Sequence, residues 1–294
     1  MGIRLARIAG PTAVLVAVVL ATVAGLATPA AADQQPGFYL DLGASVSLGL
    51  QPTGSVPREA PTPNGYADDL VAQQADQGDS LHLVHMGCPG ETTASMIEGD
   101  GRCYRPPDSQ LSDAVAFLRD HFDERGLVTI DVGFDNIARC LAQRDVDEEC
   151  VQDGLDLVAL QLPQIIDALR DAAGPDIRFI GVGAYDPYLA DGIDPSDQAF
   201  ASASQDVIAR LNSDLSDGFG DAGVPMADIA TAFSGQDERA AGSGTESLAS
   251  LAQRTCELTW MCAARPFGPN IHPNDQGYLT IASAIEAKLP HDDW

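Results

Sequence analysis

The sequence predicts an α/β protein, a single three-layer α/β/α domain built around a flavodoxin-like, five-stranded parallel sheet. Three observations carry that expectation. From residue 38 onward, short apolar runs alternate with longer amphipathic stretches, as strands and their covering helices do. The runs are rich in Leu, Val and Ile and bounded by Gly, Pro or Asp, which suits parallel strands buried on both faces. No internal repeat or low-complexity linker divides the 294 residues, so one domain accounts for the chain.

Residues 1–32 stand apart. Arg4 and Arg7 precede an apolar run from Ala13 to Leu26, and Ala30-Ala31-Ala32 forms an A-x-A site before Asp33. That order predicts a secretory signal peptide over 1–32 and a mature domain over 33–294. The expected strands are Phe38–Leu42, Leu81–Met86, Leu127–Val132, Ile177–Val182 and Val224–Asp228. Between them, apolar residues recur at helical spacing over Tyr66–Asp76, Gln110–Phe122, Leu155–Ala172, Gln198–Phe219 and Asp275–Leu289. Pro163 is a possible kink in the third helix. Residues 50–65, 99–109 and 232–271 read as long loops, and the first and last are expected to wall a substrate pocket.

The formal net charge is −27, and it becomes −29 once the two arginines of residues 1–32 are removed. Such a balance argues against nucleic acid as a partner and disfavours anionic membrane surfaces. No stable membrane insertion is expected after signal cleavage, and the protein is expected to be secreted and monomeric. All six cysteines follow residue 32, an even count that in an exported protein implies disulfides. The sequential pairing Cys88–Cys103, Cys140–Cys150 and Cys256–Cys262 is favoured because each pair flanks a short polar loop. No Cys-x-x-Cys or His-x-x-x-His spacing suggests zinc, and no phosphate-cradling Gly-rich loop follows the first strand. No metal or cofactor is expected.

Chemistry concentrates in two stretches. Phe38-Tyr-Leu-Asp-Leu-Gly-Ala-Ser-Val-Ser-Leu-Gly49 reads as a strand ending in a small, Gly-flanked turn that exposes Ser45 where a helix should begin. Pro269-Asn-Ile-His-Pro-Asn-Asp-Gln-Gly-Tyr278 carries His272 far away in sequence. A serine hydroxyl attacks well only when a base accepts its proton, and histidine titrates in the right range for that task. His82, His85 and His121 fall in or at the ends of elements and His291 in the tail, so His272 is the base of choice.

Together with Gly87-Cys-Pro-Gly90-Glu-Thr-Thr93 and Gly133-Phe-Asp-Asn136, these stretches resemble the four motif blocks of the SGNH (GDSL-type) hydrolases, in order and across the whole mature chain. The resemblance implies the SGNH hydrolase fold and a serine carboxylic-ester hydrolase that works through an acyl-enzyme. It implies a lipid, acylated glycan or small ester as substrate, with Ser45 as nucleophile and His272 as base. It also implies an oxyanion hole from the backbone N–H groups of Ser45 and Gly90 and an Asn side chain. Three departures accompany it. Ala44 replaces the Asp of Gly-Asp-Ser. Asp135 stands where the donor Asn belongs, so the donor is Asn136 by a one-residue shift (the favoured solution), a protonated Asp135, or neither. Pro269 replaces the Asp three residues before the His, leaving the Asn270 side chain and the Pro269 carbonyl as the available acceptors for the imidazole. These departures keep open a hydrolase-fold binding protein with decayed catalysis, and the shared acyl-enzyme keeps open an acyltransferase using the same Ser–His site.

Overall fold

In the computed structural model the described residues are 2, 36–54, 58–235 and 247–289, without the side chain of residue 142. The expected signal peptide over 1–32 lies outside the described residues, Gly2 excepted. The strands are β1 (Gly37–Gly43), β2 (Leu50–Thr53), β3 (Arg58–Pro61), β4 (Leu81–His85), β5 (Gly126–Asp131), β6 (Ile177–Val182) and β7 (Met226–Ala227). Five of them form one parallel sheet in the order β4-β1-β5-β6-β7. The chain places β4 on one side of β1 and β5 on the other, so the order of winding reverses at β1. In open α/β sheets that reversal opens a crevice at the carboxyl ends of the strands.

Alternation along β1 supplies both cores. Phe38, Leu40 and Leu42 join Val128 and Ile130 of β5 on one face of the sheet. Tyr39 and Leu127 face the other, against Tyr66, Leu70, Tyr278 and Ile281. The first face is covered by α2 (Thr93–Glu98), α3 (Gln110–Asp120), α5 (Glu148–Ala172) and α6 (Gln198–Asp221); the second by α1 (Tyr66–Asp76), α7 (Ile229–Ser234) and α9 (Asp275–Glu286). The short α4 (Phe134–Ile137) follows β5, and α8 (Leu248–Leu258) packs between α9 and a 3-10 turn at Pro187–Ile193. The expected three layers are therefore present.

Several boundaries differ from the sequence expectation. β7 is only two residues long, because Asp228 is drawn into capping α7, where its carboxylate accepts from the Thr231 N–H at 3.0 Å. The third predicted helix starts seven residues earlier, at Glu148. Asp147 caps it by accepting from the Cys150 N–H, and the acidic pair Glu148 and Glu149 suits a helix start. Pro163 sits inside this helix without ending it. Residues 50–65 are no plain loop: β2 and β3 form an antiparallel hairpin there, with Pro52 opposite Glu59. Likewise, the stretch 232–271 contains α8, capped by Ser247. All three expected disulfides are formed, with Cα–Cα separations of 5.9, 5.5 and 5.1 Å in chain order.

Candidate active site

Ser45 follows β1 in a turn at the carboxyl end of the sheet. Gly43 makes that turn possible: its φ is +147°, and a Cβ there would lie 2.2 Å from the Asp131 carbonyl oxygen on β5. The Ala44 N–H donates to that same carbonyl, while the Leu50 N–H donates to the Ser45 carbonyl and closes the turn. The turn leads into β2 rather than into the helix expected from the sequence, since α1 begins only at Tyr66. A buried amide locks its base. Gln110, at the start of α3, accepts from the Gly43 N–H at 2.7 Å and donates to the Gly43 carbonyl at 3.0 Å. Gln110 also donates to the buried Glu91 carboxylate.

His272 arrives from the segment before α9 and is buried. Its Nε2 lies 2.9 Å from Ser45 Oγ, across 227 residues of sequence. Neighbouring elements fix the segment: the Trp260 N–H donates to the His272 carbonyl, and the Tyr185 hydroxyl to the Ile271 carbonyl. The Cys256–Cys262 bridge closes the adjoining loop. Burial lowers the imidazole pKa below its ordinary value, and the nearby Glu59 carboxylate opposes that shift.

Of the two acceptors expected beside His272, the Asn270 side chain is the one engaged. Its Oδ1 lies 2.9 Å from the His272 backbone N and 2.9 Å from Nδ1. A backbone N–H can only donate, so this contact identifies the amide oxygen. The Nδ1 position must then carry a proton as well, which leaves the Nε2 lone pair facing the serine hydroxyl. The Pro269 carbonyl makes no hydrogen bond to the imidazole. Asn270 Nδ2 in turn donates to Glu59 Oε1 of β3 at 2.5 Å. Asp275 lies in the first turn of α9 and accepts from Gln51 and Asn64, while Asn274 is the cap.

The third motif block places its two candidate donors in different surroundings. Asn136 is buried and committed elsewhere: its Oδ1 accepts from the Thr93 N–H at 3.0 Å and its Nδ2 donates to Thr93 Oγ1 at 2.8 Å. Asp135, by contrast, lines the cavity next to Ser45 and His272. Burial pushes its carboxyl up to about 6, against a smaller opposing effect from Arg102. Gly90 is not among the cavity-lining residues. Its segment leaves β4 beside the serine turn, with the Cys88 N–H donating to the Gly43 carbonyl, and Arg102 packs over Gly90 and donates to its carbonyl.

The cavity has a largely apolar lining that includes Val132, Phe134, Val182 and Ile281. Asp131 also lines it. One oxygen of that carboxyl is sealed from solvent without a hydrogen-bond partner, and burial raises its pKa well above the ordinary range. Nothing in the local sequence marked Asp131, Gln110 or Glu59, since each acts on residues far away along the chain. Among the described residues, no cluster of three or more His, Cys, Asp or Glu is placed to hold a metal ion, and no helix is long and apolar enough to cross a membrane.

A family model described as the GDSL-like lipase/acylhydrolase family matches residues 42–279. No curated protein matches the chain by sequence. Among solved structures, a phospholipase A1 from Streptomyces albidoflavus is similar at 20% identity and a TM-score of 0.51, covering 85% of this chain and 100% of that one. An extracellular lipase from Streptomyces rimosus aligns at 18% identity and a TM-score of 0.51, covering 85% and 99%. A lipase from a goat rumen metagenome aligns at 15% and 0.52, covering 85% and 95%. At these identities the likeness concerns the fold.

Proposed function

The chain belongs to the GDSL-like lipase/acylhydrolase family, and on that premise we propose that it hydrolyses carboxylic esters through an acyl-enzyme on Ser45, with His272 as general base and then general acid. The carrying observation is the 2.9 Å approach of His272 Nε2 to Ser45 Oγ at the mouth of an apolar cavity. As Oγ attacks the ester carbon, its proton passes to Nε2. That proton then goes to the departing alkoxide, and water repeats the sequence to release the acid. Asn270 holds the imidazole in the required tautomer.

The oxyanion is received by the backbone N–H of Ser45 and by Asp135 as a neutral acid, the two candidate donors that line the cavity. The Gly90 N–H, which the motif resemblance also implies, lies on a segment outside that lining. Asp135 is preferred to Asn136 because Asp135 lines the cavity and keeps its proton up to about pH 6, whereas Asn136 is buried outside that lining with its amide turned to Thr93. The apolar walls suit the acyl part of a lipid, an acylated glycan or a small ester. The signal-like order of residues 1–32 and three disulfides support release of residues 33–294 as a secreted domain.

Turnover of 4-nitrophenyl esters from acetate to decanoate tests this reading. Ser45→Ala and His272→Ala are each expected to reduce kcat by about 10⁴-fold or more while leaving the thermal melt in place. Retention of wild-type turnover in Ser45→Ala would remove the proposal. Tight ligand binding by a wild-type protein that does not turn over any ester would favour the binding-protein alternative.

A further inference from the structure

We infer that Glu59, carried on the β2–β3 hairpin, is the carboxylate of this site: through the Asn270 amide it orients His272 and steadies the positive charge that the imidazole takes up. The inference rests on the Ser45–His272 reading and adds a residue to it. The motif position for an acid, three residues before the histidine, holds Pro269. A neutral amide at Asn270 can fix the tautomer but cannot balance an imidazolium.

The geometry supplies the missing charge from another segment. Ser45 Oγ meets His272 Nε2 at 2.9 Å, Nδ1 meets Asn270 Oδ1 at 2.9 Å, and Asn270 Nδ2 meets Glu59 Oε1 at 2.5 Å. Each junction has one possible polarity. The His272 backbone N–H identifies Oδ1, so Nδ2 is the donor and the Glu59 oxygen must accept. Glu59 Oε1 also lies 3.5 Å from Nδ1 itself. Hydrogen bonds linked in this way polarise one another, and an opposite charge at such a distance favours the charged imidazole.

The hairpin is docked rather than loose. Gln51 of β2 is buried, accepts from Trp260 Nε1 at 3.0 Å and donates to Asp275 Oδ1 at 2.9 Å. These contacts join the hairpin to the segments on both sides of His272. Glu59 faces solvent with half of its side chain, so its influence is screened in part. The other ionisable groups around the imidazole are Asp131 at the end of β5, Asp135 beyond it, Tyr185 beyond β6 and Asp275 at the head of α9. Among these neighbours, Glu59 is the one whose charge bears on the His272 titration.

During acylation the serine proton passes to Nε2 while the Nδ1 proton stays on its bond to Asn270. Glu59 takes up no proton, so it is a positioning residue. Glu59→Gln keeps the shape and removes the charge. It is expected to lower kcat about 5- to 10-fold at unchanged KM and to move the acid limb of kcat/KM down by about half to one pH unit. Asn270→Asp alone would set two carboxylates against each other, whereas Asn270→Asp with Glu59→Gln moves the charge to the side chain that accepts from Nδ1 and lets the new amide donate to that carboxylate. The double variant is therefore expected to exceed Asn270→Asp in activity and to regain the wild-type acid limb.

An NMR titration of the His272 ring in the Ser45→Ala background gives a readout independent of turnover. There, Glu59→Gln is expected to lower the His272 pKa. An unchanged pKa, with unchanged kcat and equal melting temperature, would make Glu59 an ordinary surface acid and overturn the inference. Ester turnover that survives Ser45→Ala would instead defeat the Ser45–His272 reading, while the ring titration would still decide the role of Glu59.

Discussion

Asp135 sits where an amide donor is expected, and a carboxylate in that position can only accept. Its burial resolves the conflict in one direction: the carboxyl is pushed up to about 6, so below that pH it carries a proton to donate. His272 must be neutral to act as base, and burial lowers its pKa below the ordinary 6.5. Activity is therefore expected to rise as His272 loses its proton and to fall as pH climbs through about 6, with the maximum on the acid side of neutrality. Asp135→Asn supplies an amide donor at every pH, so it should retain activity at the optimum and abolish the alkaline fall. Asp135→Ala should lower kcat by about 10²-fold, the usual cost of one oxyanion donor. An unaltered alkaline limb in Asp135→Asn would assign that limb to another group. Ser45 and His272 were legible because each lies in a motif stretch. Which acceptor served His272 was not, since Asn270 and the Pro269 carbonyl are equally close in sequence and only the side-chain geometry separates them.

The elements that announced themselves were the longer strands of the parallel sheet. β1, β4, β5 and β6 are short apolar runs, and their positions in the sequence differ from the structure by no more than a residue or two at either end. The β2–β3 hairpin gave no such signal, because Leu50-Gln-Pro-Thr53 and Arg58-Glu-Ala-Pro61 lack alternation and are held largely by polar contacts. α8 was lost for a related reason: its buried side is narrow, with Ala252, Thr255 and Leu258. Contacts between elements leave even less trace. Gln110 reaches across 67 residues to hold both polar groups of Gly43, tying the start of α3 to the end of β1. Gln110→Leu would leave those groups and the Glu91 carboxylate short of partners in a buried place. It is expected to destabilise the protein by about 2–4 kcal/mol and to lower kcat through the displaced serine turn. Urea unfolding together with ester kinetics checks both. A stability change below about 0.5 kcal/mol, the range of ordinary surface substitutions, would show that the clasp is dispensable.

Over the whole molecule, buried acids set the response to pH. Asp186 is pushed up to about 7 by burial, with Ser204 and the Tyr188 N–H opposing, and Asp135 to about 6. A raised pKa means that the fold keeps its proton longer than the unfolded chain does. Each such group adds stability that is complete below its unfolded value near 3.8 and is lost as pH rises through the folded value. His85, raised by its hydrogen bond to the Asp41 carboxylate, acts in the same direction at pH values above 6.5. His272, lowered by burial, acts the other way below 6.5 but is one group against several. The exposed Asp100 and Asp194, also shifted downward, carry little weight under solvent screening. The melting temperature is therefore expected to be higher at pH 5 than at pH 7.5, and Asp186→Asn should flatten the difference. A melting temperature that rises across that interval would contradict the account.

The same scale governs the central claim, since the fold as a whole brings residue 45 within hydrogen-bond reach of residue 272. The most direct measurement is covalent labelling with a fluorophosphonate, followed by peptide mass spectrometry. The account expects one adduct per chain, on Ser45, formed at least 10²-fold more slowly in His272→Ala. A label on another residue, or none on Ser45 in a folded protein, would contradict it.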